Sequence, residues 1–397
     1  MMGHERSVTS LGCNRAQTSI NARLGEPQMF YLGIDQHAKQ LTISLRDETG
    51  SVRQAKQVST EPVRIGKFLH ELRETCGTDG FYAIVEVCGF NDWLLELLTK
   101  HGCARVFLIQ PEKKRKIKTD RRDAKSLSEL LWVNQERLRS GIPLNGVKQI
   151  VFPSAIDVEN QRITLIRQRI GRQNTRTINQ IKHILRRHNL QWQLPTKTFP
   201  SKIAITWLKN LTLPSWDRKE MNWLLEELKS ISGRLAELEC EIATRCINDP
   251  RVQLLKTTPG VADFSALAFA CRIGDVTRFP SGRSLSNYWG LTPLVNDSGE
   301  STGRRGRITK AGSTVARWLL GQVVLHVLRK DTKMKAWYKT IRVRRGSKIA
   351  RVAVMRRLSV VIRNMLANNQ DYWTCRTQML ERRAKQIQKK NTSKPAA

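Results

Sequence analysis

Residues 30–58 read FYLGIDQHAKQLTISLRDETGSVRQAKQV. Within them FYLGIDQ, QLTISLRDETG and SVRQAKQV alternate apolar with polar residues and are separated by turn-formers, the pattern of an antiparallel meander. Next, EPVRIGKFLHELRETCG carries apolar residues at helical spacing and closes on Gly77. FYAIVEVC, residues 81–88, is a continuous apolar run suited to a buried strand. The helix-like NDWLLELLTKHG, the strand-like ARVFLI and a helix opening in KTDRRDAKSLSELL complete the series.

That order, three strands, then helix, strand, helix, strand, helix, is the order of a ribonuclease-H-like fold. From Pro153 to about Cys246 the pattern changes. DVENQRITLIRQRIGRQNTRTINQIKHILRRHN and WDRKEMNWLLEELKSISGRLAELECEIATRC repeat apolar residues at i, i+3, i+4 and i+7, which predicts two long paired helices, a coiled-coil arm. Pro195, Pro200 and Pro214 fall in the connection between them. The first helix is crowded with arginine and is a candidate nucleic-acid rail; the alternative is a hairpin that spaces two domains or makes a dimer. KTTPGVADFSALAFACRIGD then places a turn at Gly260 between apolar stretches, a helix-hairpin-helix-like element whose amides could meet a phosphate, or a plain helix connection. The fold class is therefore α/β plus α. The expected division is an extension over 1–29, an α/β domain over 30–150, the arm over 151–250, a mainly helical domain over 251–370 and a basic tail over 371–397, with the extension and ERRAKQIQKKNTSKPAA expected to be disordered.

Lys and Arg number 69 against 34 Asp and Glu, a formal charge of +35 in 397 residues. Such an excess repels itself unless a polyanion neutralises it, so nucleic acid leads as the partner class. An anionic membrane comes second, but no apolar run reaches the ~18 residues of a span. The first 28 residues lack the apolar centre of a secretory signal, and Met29, where strand patterning begins, is a candidate start. Eight cysteines without a C-x-x-C pair argue against zinc ribbons and disulfide frameworks, and make a reducing cytoplasm the expected compartment.

In a chain poor in carboxylates, several fall at element ends. Asp35 ends the first strand, Glu86 ends the central apolar strand, and Asp120 and Asp123 open a helix, three apart and so on one face. A carboxylate at the end of an apolar strand must be paired or bind a cation. Converging acids can hold two divalent ions ~3.5–4 Å apart for phosphodiester chemistry, and hard oxygen donors favour Mg2+ or Mn2+. Taken singly, each acid has another role open to it: Asp35 as a turn residue, Asp120 as a helix cap, Glu86 and Asp123 as partners of arginine. His37 could touch a metal or phosphate, or be a polar strand-end residue. Lys113, Lys114, Arg115, Lys116, Lys118, Arg121 and Arg122 surround the acidic helix start as candidate backbone contacts.

A second segment, FPSGRSLSNYWGLTPLVNDSGESTGRRGRITKAGSTVARWLLGQ, has a loop rich in Gly, Ser and Arg at its middle. Arg304, Arg305, Arg307 and Lys310 offer donors to phosphate oxygens, and a serine there could be a phosphate ligand or a nucleophile.

In this order GIDQHAK, VEVCG, KTDRRDA, TPGV, YWGLTP, DSG and GRITKAGS resemble the DEDD transposases of bacterial insertion sequences, the insertion-sequence one-ten family with its Piv-type invertase relatives, from about Phe30 to Leu366. The resemblance implies an N-terminal RuvC-like domain, a coiled-coil connection and a C-terminal transposase domain. It implies a metal-binding tetrad of Asp35, Glu86, Asp120 and Asp123 and a nucleophilic Ser298, with Ser301 and Ser313 nearby. It further implies a recombinase guided by a structured bridge RNA, acting on donor and target DNA, with a composite site shared between protomers of a dimer or tetramer. Two readings stand beside it: a magnesium-dependent junction nuclease using only the acids, and an architectural nucleic-acid-binding protein with a dead site.

Overall fold

The structure, a computed structural model, describes residues 29–77, 80–110, 120–147, 149–295 and 305–392. The expected extension over 1–28 lies outside these residues, as do residues 393–397. The chain forms two compact units, 1–152 and 153–397.

In the first unit β1 (Phe30–Gln36), β2 (Gln40–Arg46) and β3 (Val52–Ser59) form the expected meander. It is followed by α1 (Pro62–Cys76), β4 (Phe81–Glu86), α2 (Asp92–Lys100), β5 (Cys103–Ile109), α3 (Asp120–Val133) and the short α4 (Gln135–Arg139). The five strands lie in the order β3-β2-β1-β4-β5. The meander is antiparallel, whereas β1, β4 and β5 run parallel, with Ile34 opposite both Ile43 and Val85. Both faces are covered, which is why β1 and β4 are almost continuously apolar. On one face Leu32, Ile34, Ala83 and Val85 pack with Phe68 and Leu72 of α1 and Leu94 and Leu98 of α2. On the other, Tyr31, Ile84 and Phe107 pack with Leu127 and Leu131 of α3.

Gly33 sets how closely α3 approaches. A Cβ at this position would stand 2.3 Å from the Ala124 carbonyl oxygen and 2.4 Å from the Ser128 amide nitrogen, so only glycine admits the helix backbone here. Ser128 Oγ then donates to Ser44 Oγ at 2.9 Å, and Trp132 Nε1 to the Glu48 carbonyl at 2.9 Å. At the sheet's far edge Ile109 bridges to Gln149, and the Ile150 amide donates to the Leu108 carbonyl. β5 is thus partnered on its outer side, while β3 forms the other edge with Arg53 and Lys56 on it.

The second unit is mostly helical. α5 (Ala155–Arg187) and α7 (Ser215–Ile247), each of 33 residues, pair antiparallel. Arg167 meets Glu239, Gln173 meets Glu227 and His188 meets Asp217, partner numbers falling in one helix as they climb in the other. Ile181, Ile184 and Leu185 pack against Met221, Leu224 and Leu228. Between them lies α6 (Lys202–Asn210), which the prolines concealed; its Ala204 and Leu208 are buried and Ser201 caps it. The other end of the pair is tied down: Arg272 Nη1 donates to Thr164 Oγ1 at 2.9 Å and Gln161 Nε2 to the Cys271 carbonyl at 2.8 Å.

α8 (Pro250–Lys256) and α9 (Asp263–Ile273) follow, with Gly260 in the turn between them. From Ser265 to Ile273 every residue of α9 is buried, as expected of a helix apolar all round. Around it stand α10 (Gly282–Tyr288), α11 (Thr314–Lys330), α12 (Thr332–Asn368) and α13 (Tyr372–Thr392). α12 bends at Gly346, whose φ of 80° no helical residue adopts. The tail expected to be disordered is helical as far as Thr392; Glu, Gln, Lys and Arg are good helix formers, and Tyr372 and Cys375 anchor its start in the core. The serine segment, read as a loop, also holds a two-stranded sheet, β6 (Pro293–Val295) with β7 (Arg305–Ile308). Strands of three and four residues carry no alternation to detect. Among the described residues no helix is long and apolar enough to cross a membrane.

Candidate active site

Because Ile34 lies opposite Val85 in parallel register, the next residues, Asp35 and Glu86, end adjacent strands side by side. Side chains alternate along a strand, so Asp35 shares the face of Gly33 and Glu86 that of Ile84, the face covered by α3. α3 runs opposite to β1. Its Ala124 lies over Gly33, while beyond its other end Gln135 accepts from the Tyr31 hydroxyl at 3.4 Å. The N-terminus of α3, with Asp120 and Asp123, therefore points toward the strand ends that carry Asp35 and Glu86. Asp123 and Glu86 are half-buried; Asp35 is 18% exposed, enclosed enough for an uncompensated charge to be costly. Of Asp120 and Arg121 only the backbone is described, and Arg122 is exposed.

His37 Nε2 stands 3.3 Å from Asp35 Oδ2, so the histidine is a neighbour of this carboxylate. Two supporting residues were not read from the sequence. Asn91, taken there as part of a helix start, is buried; its Nδ2 donates to Gln36 Oε1 at 2.7 Å and to the Glu86 carbonyl at 3.1 Å, and its Oδ1 accepts from the Cys88 amide at 3.0 Å. It braces the turn after Glu86 against the end of β1. Thr42 lies opposite Asp35 on β2, and its buried Oγ1 has no hydrogen-bond partner among the described residues. An orphaned hydroxyl across the strand pair from Asp35 is a place where a cation's hydration shell or a substrate oxygen would be bound. Among the described residues no three His, Cys, Asp or Glu side chains form a group able to hold a metal ion. The donors present are hard oxygens at strand ends, which fit Mg2+ or Mn2+ in kind.

In the second unit Ser298, Ser301 and Arg304 lie outside the described residues, as do Lys113, Lys114, Arg115, Lys116 and Lys118 of the first unit. The strands flanking Ser298 are described: Pro293 pairs with Ile308 and Val295 with Arg305. Arg307 and Lys310 are exposed. Behind the hairpin the YWGLTP and GRITKAGS motifs are stitched together. The Thr309 amide donates to the Thr292 carbonyl at 2.9 Å, the Lys310 amide to the Gly290 carbonyl at 3.1 Å, and Arg317 Nη1 to the Trp289 carbonyl at 3.1 Å. Ser313 caps α11 by accepting from the Ala316 amide at 3.2 Å, which gives this serine a structural role. Burial pushes the thiols of Cys246 and Cys271 up to about 11, which leaves both protonated and poor nucleophiles at neutral pH.

An α/β unit with paired strand-end acids and a mostly helical unit with a short cationic strand pair are what the chain offers, and comparison with known proteins points to transposases. Residues 252–339 match the family model of the IS116/IS110/IS902 transposases. The chain is 26% identical over 260 residues to the transposase for insertion sequence element IS1111A of Coxiella burnetii, covering 64% of this chain and 68% of that protein. It is 25% identical over 297 residues to a probable family 20 transposase of Pseudomonas aeruginosa, covering 72% and 84%. It is 27% identical over 306 residues to a putative transposase, y4qE, of Sinorhizobium fredii, covering 73% and 70%. The family recognised from the motifs is the one these matches point to: the chain is similar to its transposases over residues 252–339 and at 25–27% identity.

Proposed function

We propose that this transposase cuts and rejoins DNA strands with an acid tetrad, Asp35, Glu86, Asp120 and Asp123, and a nucleophilic serine, Ser298. The observation that carries the reading is the register of β1 with β4, which sets Asp35 beside Glu86 on the face where α3 begins. The strand order β3-β2-β1-β4-β5, with an antiparallel meander and parallel β4 and β5, supports a RuvC-like, ribonuclease-H-like assignment for this unit. The antiparallel α5–α7 pair supports the coiled-coil arm, and the α8-turn-α9 connection the helix-hairpin-helix-like element.

Asp35, Glu86, Asp120 and Asp123 are the residues that would hold Mg2+ or Mn2+, which supplies charge neutralisation at a scissile phosphate. In the cutting step the Ser298 hydroxyl oxygen forms a bond to phosphorus, the bond from phosphorus to one deoxyribose oxygen breaks, and the serine proton passes to solvent or to the departing oxygen. Rejoining runs the same exchange backwards with a new strand end, so the ester keeps the bond between the two steps. Arg304, Arg305, Arg307 and Lys310 would clamp the strand by its phosphates. A structured guide RNA fits the +35 charge and the exposed Arg162, Arg169, Arg172 and Arg176 on α5, spaced seven, three and four apart along one face. Both donor and target DNA, a dimer or tetramer, and a cytoplasmic, nucleoid-associated place of work belong to this reading.

The test is trapping on a nicked DNA substrate with Mg2+. The intact chain should leave a protein–DNA adduct on a denaturing gel, absent in Ser298→Ala. Asp35→Asn and Glu86→Gln should slow its formation at least about a hundredfold while melting stays unchanged, because each lost ligand removes several kcal/mol. Free DNA ends without any adduct would replace this reading with the hydrolytic nuclease; full function of the Asp35→Asn chain in cells would leave only the architectural role.

A further inference from the structure

On α7 the residues Trp216, Lys219, Trp223, Glu226, Ser230 and Gly233 recur at alternating steps of three and four, the spacing of a coiled-coil seam. All six are exposed. The seam that packs on α5, with Met221, Leu224 and Leu228, lies on the opposite side of the helix. Trp216 is 70% exposed and Trp223 60%, more than so large an aromatic ordinarily gives to water. Each is trailed three residues on by a charge, Lys219 after the first and Glu226 after the second, so the face carries both signs. Gly233 is an independent sign. A Cβ there would meet nothing within 4 Å, so no neighbour in the chain requires the glycine, although glycine weakens a helix interior relative to alanine.

The chemistry of the face selects its partner. A nucleic acid could stack bases on the tryptophans but would bring phosphates with them. α7 carries seven acidic against five basic side chains, in a protein where 69 Lys and Arg stand against 34 Asp and Glu. A small apolar molecule needs a concavity, which two side chains standing off one convex helix do not make. A second α7, running antiparallel, answers each feature. Setting Trp216 of one copy on Gly233 of the other brings Trp223 close to the twofold axis between them. Lys219 then enters the hole bordered by Glu226 and Ser230 of the other copy, cation against carboxylate. Both contacts repeat across the axis, as an isologous interface demands. Four tryptophans then supply about half of the ~1,200 Å² of buried surface that a specific interface needs.

We infer that two copies of this chain pair through the outer face of α7, antiparallel, each laying Trp216 on Gly233 of the other. The pairing names the surface of the oligomer proposed above; it rests on that reading for the existence of an oligomer and on nothing of its cutting chemistry.

The experiment is sedimentation velocity of the full chain, freed of nucleic acid. A dimer should form with rising concentration over about 0.1–100 µM. Trp216→Ala and Trp223→Ala should each raise its dissociation constant at least about thirtyfold, with melting unchanged because both side chains are exposed. Lys219→Glu should weaken pairing about tenfold, since carboxylates then face each other, and adding Glu226→Lys should restore it, which a merely misfolded variant would not show. The inference is overturned if the chain stays monomeric over that range, if the dimer is indifferent to both tryptophans, or if the reversed pair fails to recover what Lys219→Glu lost. Tryptophan variants that associate as before but bind single-stranded DNA or RNA more weakly would also overturn it, giving the face to nucleic acid. Ser298→Ala should pair like the unaltered chain. A dimer that leaves no adduct on nicked DNA therefore upholds the face and sinks the cutting step, and an adduct from a chain that never pairs does the reverse.

Discussion

A methyl group on Gly33 would collide with main-chain atoms of α3 at 2.3 and 2.4 Å, and neither belongs to a side chain that could swing aside. Helix and strand must separate, two residues from Asp35. Gly33→Ala should therefore cost about 3 kcal/mol in urea denaturation of the first unit's transition, at the upper end for overpacked sites, and should also slow strand cutting more than the stability loss explains. The strand-end positions of Asp35 and Glu86 were legible from sequence because a carboxylate ending an apolar run stands out against its neighbours. Asn91 and Thr42 were not, since what marks them is burial and the partners they have or lack across the sheet, which no local pattern records. Ser313 shows the converse: a serine beside the site motif whose hydroxyl is taken up by a helix end.

At the scale of elements, strands and helices with strong periodicity were read close to their bounds, and α1, α5 and α7 needed no tertiary information. α6 was hidden among prolines, and β6 and β7 were too short to alternate. The junction of α11, α12 and α13 turns on one carboxylate, 4% exposed: Asp331 caps α12 through the Met334 amide and accepts from Arg376 Nε and the Tyr372 hydroxyl, both at 2.9 Å. Burial alone would raise its carboxyl, but the hydrogen bonds from Arg376, the Met334 amide and Tyr372 outweigh it and hold the group below the usual carboxylate range. A depressed folded-state value contributes stability that is present above the unfolded value of about 3.9 and is lost as pH falls through the lower folded one. Asp331→Ala should cost about 3–5 kcal/mol at pH 7, since Arg376 is left buried without its partner. In thermal melts the gap between the two proteins should narrow as pH drops below about 4, where the unaltered chain loses the same interaction.

For the whole molecule, charge was the strongest signal in the sequence: it pointed to nucleic acid before any motif did. If the chain neutralises 6–10 phosphates, anisotropy titrations with duplex DNA should show affinity falling by about 10³–10⁵ between 50 and 200 mM salt. A salt-insensitive affinity would mean that the excess charge faces elsewhere. The same charge bears on a simpler hazard. The five-stranded sheet has one side closed by Gln149 and Ile150, so the meander's outer strand, with Arg53 and Lys56, is its remaining flank. Arg53 is paired with Asp47 and Lys56 with Glu71, so when many copies crowd along one polyanion this flank presents charged groups that must be desolvated before two copies can zip together into aggregates.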